Sequence, residues 1–172
     1  MEYTDLIKSR ASVRNYDPNK PVDKLILEKI LDAGRLAPSA CNIQPWKFLV
    51  ISSPDLLKKI KASYNREWFK NAPHVLAVVG YRDQAWKRSY DGYNSIETDV
   101  AIAMTQIILA AENEGVGTCW IAAYDPAILR KALNLDDNQL IFCITPLGYP
   151  IPGYEKPSKT IRKPLKDIVE YL

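Results

Sequence analysis

Residues 100–111 are apolar around nearly the whole circumference of a helix, not along one stripe. A helix of that kind has to be buried on every side. Its run of about a dozen positions, broken by Thr105 and Gln106, is too short to cross a bilayer. Asn94 with Glu97 three residues later resembles a capping box, and Gly115 suits a helix end, so the spacing predicts one long helix over 94–114. In a chain of 172 residues its own sheet covers one face of such a helix, and the opposite face needs a further cover. A second copy of the chain is the preferred cover, which predicts a homodimer with this helix, Ile108 included, at the contact. The alternative is the central helix of a monomer.

The elements around it alternate. A short opening helix is expected over 4–9. Leu25, Ile26, Ile30, Leu31, Ala33 and Leu36 have helical spacing behind a cap at Asp23, and Pro38 closes that helix. Ser53-Pro54 and Asp125-Pro126 each place a capping side chain ahead of a first-turn proline and open two more helices. The stretches 46–51, 75–79, 118–121 and 141–145 read as buried strands. This alternation gives an α/β or α+β class. No repeat, low-complexity tract or linker interrupts it, so a single domain over 1–172 is expected.

Composition removes several chemistries. The net charge is +3, with 23 basic and 20 acidic residues spread along the chain, which gives no basic stripe for nucleic acid. The single histidine, His74, excludes a multi-histidine metal site. Cys41, Cys119 and Cys143 lie far apart without a C-x-x-C pair, which argues against structural zinc and a disulfide framework. With no secretory signal visible at the N-terminus, a reducing cytoplasm is the expected location. A hydrolytic triad would have to use His74 beside Pro73 at the start of a buried strand, and no G-x-S-x-G turn is present. Gly115-Val116-Gly117 follows a helix and precedes a strand, the reverse of the dinucleotide-binding order.

Two polar segments remain. Arg10, Ser12 and Arg14 alternate in an extended stretch, so period-two geometry puts them on one side. Two guanidiniums and a hydroxyl suit an anionic ligand such as a phosphate; a solvated turn is the alternative. In the second, Pro38 and Pro45 bracket Ser39, Asn42 and Gln44, a stiff loop able to present donor and acceptor groups to a flat heteroaromatic ring. Capping of a helix-to-strand connection accounts for one of these residues, but less readily for all three.

Together, Arg10-x-Ser12-Val13-Arg14-x-Tyr16 and Ala37-Pro38-Ser39-x-x-Asn42-x-Gln44-Pro45-Trp46 resemble the signature of the nitroreductase family of FMN-dependent oxidoreductases. The stretch 110–121, Leu147-Gly148-Tyr149-Pro150 and Arg162-Lys163-Pro164-Leu165 resemble the family's central helix and glycine turn, the end of its last core strand and its C-terminal phosphate-binding stretch, in the family's order.

The resemblance implies an α+β, nitroreductase-like fold: a mostly antiparallel sheet of about four to five strands flanked by helices, with a long buried helix at a dimer interface. It implies FMN held noncovalently between two subunits, with NADH or NADPH as transient co-substrate in a ping-pong reduction of nitroaromatics, quinones or similar electron-poor acceptors. By position, Arg10 and Ser12 would hold the phosphate and ribityl chain with Arg162, and Arg14 would lie near the pyrimidine edge. Pro38, Ser39 and Asn42 would come from the other subunit, with Gln44 nearby. Asn65 would contact the ring, and the backbone of Ala122 and Ala123 would approach it. No side chain need be catalytic, because the flavin carries the chemistry, and a guanidinium beside the pyrimidine favours its reduction. The alternatives are a non-catalytic flavin-binding or FMN-sequestering protein, and a flavoenzyme of the same fold with another reaction such as reductive dehalogenation. Ala122 stands where many relatives have glycine, which narrows the space for an acceptor. Thr160 stands where some relatives have a second cation, with Lys159 or Lys163 as a substitute. The aromatic segment from Trp86 to Tyr93 is either a channel wall or lid, or a loop packed on the dimer surface.

Overall fold

β2 (His74–Tyr81) is buried at every residue but its last because both of its faces are covered. It pairs antiparallel with β1 (Trp46–Ile51) on one edge and β3 (Gln139–Leu147) on the other, giving the order β1-β2-β3. The register sets Trp46 opposite Gly80 and Gly80 opposite Leu140 at one end, and His74 opposite Leu147 at the other. The computed structural model describes residues 1–157 and 161–172.

Strand alternation sends Leu76 and Val78 to one face, where they pack with Ile30 of α2 (Lys24–Arg35) and Val100, Met104 and Ile107 of α5 (Ile96–Asn113). Val75, Ala77 and Val79 face the other side, against α3 (Pro54–Lys61), Phe69 of α4 (Glu67–Lys70) and Leu129 of α6 (Pro126–Leu133). Helices on both sides of an antiparallel sheet give the expected α+β architecture. Three strands pair among the described residues, fewer than the four or five expected. The stretch 117–121 runs beside β3 but joins it only through bridges from Gly117 to Gly148 and from Ile121 to Ile144. The reason is local: the Cys119 N–H donates to Thr145 Oγ1 at 3.1 Å, not to a backbone carbonyl, so no ladder forms.

Asp23 and Asp125 cap α2 and α6, accepting from Leu25 N and from Ala127 N and Ile128 N, whereas Ser53 makes no side-chain cap. α5 begins at Ile96, two residues later than expected: Asn94 Oδ1 accepts from Ile96 N, but the capping box with Glu97 does not form. The helix stops at Asn113, ahead of Gly115 at φ +72°. Gly34 lets α2 approach it, since a Cβ there would lie 2.5 Å from Ile107 Cγ1. Ile108 is buried in this core beside Val100 and Met104, so it is not a contact-face residue as expected. An all-round apolar helix gives no direction to its faces, and packing decides them. The outward face carries Ala101, Ile102, Leu109 and Ala110, which with Tyr3 and Leu6 of α1 (Tyr3–Ser9) line an apolar groove of about 640 Å³. Among the described residues no helix is long and apolar enough to cross a membrane.

His74 is structural. Its Nε2 accepts from Val22 N at 3.1 Å, which leaves the proton on Nδ1, 2.7 Å from Ser52 Oγ. Burial, with the Lys61 ammonium nearby, holds this imidazole below its ordinary value of 6.5. Below that value the unfolded chain binds a proton that the folded chain refuses, so stability falls as pH drops through the window beneath 6.5. Urea unfolding at pH 7 and pH 5 should show this loss in the native protein. His74→Gln, which keeps one donor and one acceptor but no titrating group, should show a smaller one.

Candidate functional site

The segment after α1 folds as its alternation dictates. Ala11, Val13 and Tyr16 are buried, whereas Arg10 and Ser12 are half-buried and Arg14 is exposed. Val13 N donates to Thr118 O at 2.8 Å, Tyr16 Oη donates to Val13 O at 2.7 Å, and Arg14 N donates to Tyr154 Oη at 3.1 Å. These bonds fix the backbone from below and leave the polar side chains on the opposite side. The Cys119 thiol is their common neighbour. Burial pushes it above its ordinary value, while the nearby Arg14, Ser12 and Arg10 side chains pull the other way. Arg10, Ser12 and Arg14 thus all lie within electrostatic reach of one buried sulfur. Beyond Trp120 and Ile121, Ala122 and Ala123 are exposed, and among the described residues their N–H groups take no hydrogen-bond partner.

The loop between α2 and β1 is held largely by itself. A single 3-10 turn (Ala40–Asn42) forms, and Cys41, Asn42 and Gln44 sit at φ 50°, 54° and 55°, a region that non-glycine residues seldom adopt. Ser39 Oγ accepts from Gln44 N at 2.9 Å, and Gln44 Nε2 donates to Asn42 O and Oδ1. The expectation that Ser39, Asn42 and Gln44 all face outward to a ligand is thus refined: part of their capacity stabilises the loop, while the Ser39 hydroxyl hydrogen and the Asn42 amide hydrogens stay available. Pro38 is exposed beside them. Sequence reasoning missed Asp99, 2 % exposed in the first turn of α5, which accepts from Ala40 N at 2.9 Å and from Ser95 Oγ at 2.7 Å. An acidic residue directly beside the apolar run that begins at Val100 is the signal that was there to find.

The two groups lie at opposite ends of the sheet. The loop is level with Gly80 and Leu140, whereas Ser12 and Thr118 are level with Leu147 and Gly148. Between those levels β3 runs about 24 Å at its usual rise. The 18 residues of α5, which starts beside the loop and ends just before the glycine turn, measure about 27 Å. Asn65 lines a cavity of about 830 Å³ with Lys58, Lys61, Lys70 and Asn71, and no described contact links it to Arg14. Arg162 is exposed, with its Nη1 on Ile161 O, and no described contact links it to Arg10 or Ser12. Lys159 and Thr160 lie outside the described residues. Residues 86–95 form a small hairpin, with Lys87 bridged to Asn94, Arg88 over the Tyr93 ring and Tyr90 exposed.

As a donor set, the residues over Cys119 fit FMN: two guanidiniums and a hydroxyl for a phosphate and polyol, with open backbone N–H groups for a ring edge. The sequence pattern that defines the nitroreductase family matches residues 7–65 and 60–149. A protein from Archaeoglobus fulgidus with the provisional name NADH dehydrogenase/NAD(P)H nitroreductase is 35% identical over 154 residues, 87% of this chain and 86% of its own length. The crystal structure of a nitroreductase family protein from Clostridium difficile is 34% identical and superposes with a TM-score of 0.91, covering 99% of this chain and 98% of that one. A structure described as an FMN-dependent nitroreductase, also from Clostridium difficile, is 25% identical with a TM-score of 0.75 over 89% of this chain and 90% of that one.

Gly117 allows the Arg10–Arg14 segment to lie this close, because a Cβ there would stand 2.9 Å from Cγ2 of the fully buried Val13. Gly117→Ala should destabilise the protein by about 1–3 kcal/mol in denaturant unfolding. Adding Val13→Ala should cost less in that background than in the native one, since it relieves the clash.

Proposed function

The chain belongs to the nitroreductase family, and from that membership we propose that it is an FMN-dependent NAD(P)H oxidoreductase acting as a cytoplasmic homodimer on nitroaromatics, quinones or similar electron-poor acceptors. One observation carries the reading: two groups of ligand-suited residues sit at opposite ends of α5, too far apart to close on one small molecule within a chain. A second copy packed on the apolar groove of α5 supplies the missing half of each site. It also covers the face that the chain's own helices leave open. The three cysteines are unpaired, in keeping with a reducing compartment.

Bound FMN supplies the electron-carrying chemistry. The chain's own residues bind and orient. Arg10 and Ser12 neutralise and hydrogen-bond the phosphate end, with Arg162 joining them, and Arg14 places positive charge by the pyrimidine edge. Ala122 and Ala123 offer N–H groups to the ring, and Pro38, Ser39 and Asn42 of the second copy close over it, with Gln44 bracing that loop. Asn65 contributes from the side of α3. No general base is required of the protein, which suits a chain whose one histidine is committed to Val22 N and Ser52 Oγ.

The purified protein should be yellow and should bleach on addition of NADH or NADPH without oxygen, with colour returning on addition of a quinone or nitroaromatic acceptor. Yellow protein inert to both nicotinamides would favour flavin sequestration. Recovery by a halogenated phenol alone would favour reductive dehalogenation. Colourless protein that takes up no FMN would overturn the proposal. Arg10→Ala should weaken FMN binding about ten- to a hundredfold, the loss of one charge-assisted hydrogen bond, while leaving riboflavin binding unchanged because riboflavin has no phosphate.

A further inference from the structure

We infer that Asp99 is a positioning residue for the 38–44 loop, holding it in the shape that closes on a flavin bound by the second copy. This rests on the function proposed above. Among the described residues, the bond from Ala40 N to Asp99 Oδ1 is the one hydrogen bond joining positions 38–44 to another element; the remainder lie within the loop and its immediate flanks. Three non-glycine residues in the left-handed region, Cys41, Asn42 and Gln44, make this loop costly to hold, and such backbone persists only where surrounding contacts over-determine it. Asp99 supplies the external contact.

Its placement suits that task. The side chain is almost fully buried, so both oxygens need partners, and each has one: Ala40 N on Oδ1 and Ser95 Oγ on Oδ2. Ser95 is also where the aromatic hairpin meets α5, since Ser95 N donates to Trp86 O at 3.0 Å. Asp99 thus stands at a junction of three parts: the helix whose outer face forms the proposed contact, the hairpin and the loop. A residue on the interface helix of one copy thereby sets the flavin-facing loop presented to the other. Asp99 touches no substrate; it acts through Ala40.

The test uses Asp99→Ala, Asp99→Asn and Ser95→Ala in the full chain. Asp99→Asn is isosteric: its amide oxygen still accepts from Ala40 N, and the Ser95 hydroxyl can turn to accept from the amide nitrogen. Hydrogen exchange without flavin reads the loop directly. The Ala40 amide should exchange at least about tenfold faster in Asp99→Ala and near the native rate in Asp99→Asn. Flavin titration reads the consequence. Asp99→Ala should bind FMN and riboflavin equally more weakly, by about tenfold or more, whereas Asp99→Asn should stay within about threefold of native and Ser95→Ala, which strips Oδ2 of its partner but keeps the acceptor for Ala40 N, should fall between them. Circular dichroism and sedimentation verify that each variant is folded and in its native assembly. A folded Asp99→Ala with native exchange at Ala40 and native flavin affinity would overturn the inference, as would equal losses in Asp99→Ala and Asp99→Asn. Faster exchange at Ala40 in a protein whose native form takes up no flavin would instead sustain the loop role and refute the function it was meant to serve.

Discussion

Over residues 100–111 helix α5 is apolar around nearly its whole circumference, and burying both of its faces is the constraint on which the rest of the molecule depends. One face is satisfied within the chain: Val100, Met104 and Ile107 pack on β2, and Gly34 brings α2 close enough to seal that side. The other face, with Ile102 and Leu109, is edged by the short helix α1 and by Ala33 of α2 and remains a groove. The helix is also the ruler of the site. Its first turn anchors one group of ligand-suited residues through Asp99, and its last turn leads through the glycine turn to Cys119, beneath the other. On the proposed reading, covering the groove and completing the site are one requirement that a second copy would meet together.

This arrangement accounts for the sparseness of catalytic side chains. The histidine is buried and neutral among its partners, and Cys119 is held protonated by burial despite two nearby cations. What the chain offers is placement: a backbone fixed from below by Val13 and Tyr16, cations on its upper side, and a strained loop pinned from outside. A protein of this kind directs the chemistry of a bound cofactor more than it performs chemistry itself.

Much of this was legible in the sequence where the physics is local. Asp23 and Asp125 cap their helices because the carboxylate reaches the next N–H groups whatever the tertiary context. The alternation of buried Ala11 and Val13 with Arg10, Ser12 and Arg14 follows from extended geometry alone. Where packing decides, the sequence was silent. It could not orient α5, so Ile108 was assigned to the wrong face. It could not show that Thr145 Oγ1 intercepts the Cys119 N–H and keeps 117–121 out of the ladder. Nor could it show that Ser39 and Gln44 spend hydrogen bonds on their own loop, since that depends on residues in left-handed backbone that do not include a glycine.

The central claim is that each flavin site is assembled from two chains, and complementation tests it most directly. One variant loses the phosphate group, Arg10→Ala with Arg14→Ala; another loses the loop contacts, Ser39→Ala with Asn42→Ala. Alone, each should bind little flavin. Unfolded and refolded together in equal amounts, they form mixed dimers in which one site keeps both native halves, so flavin binding should return to about a quarter of the native stoichiometry. Sites built within a single chain would leave every site damaged, and the mixture would bind no more flavin than the variants do separately.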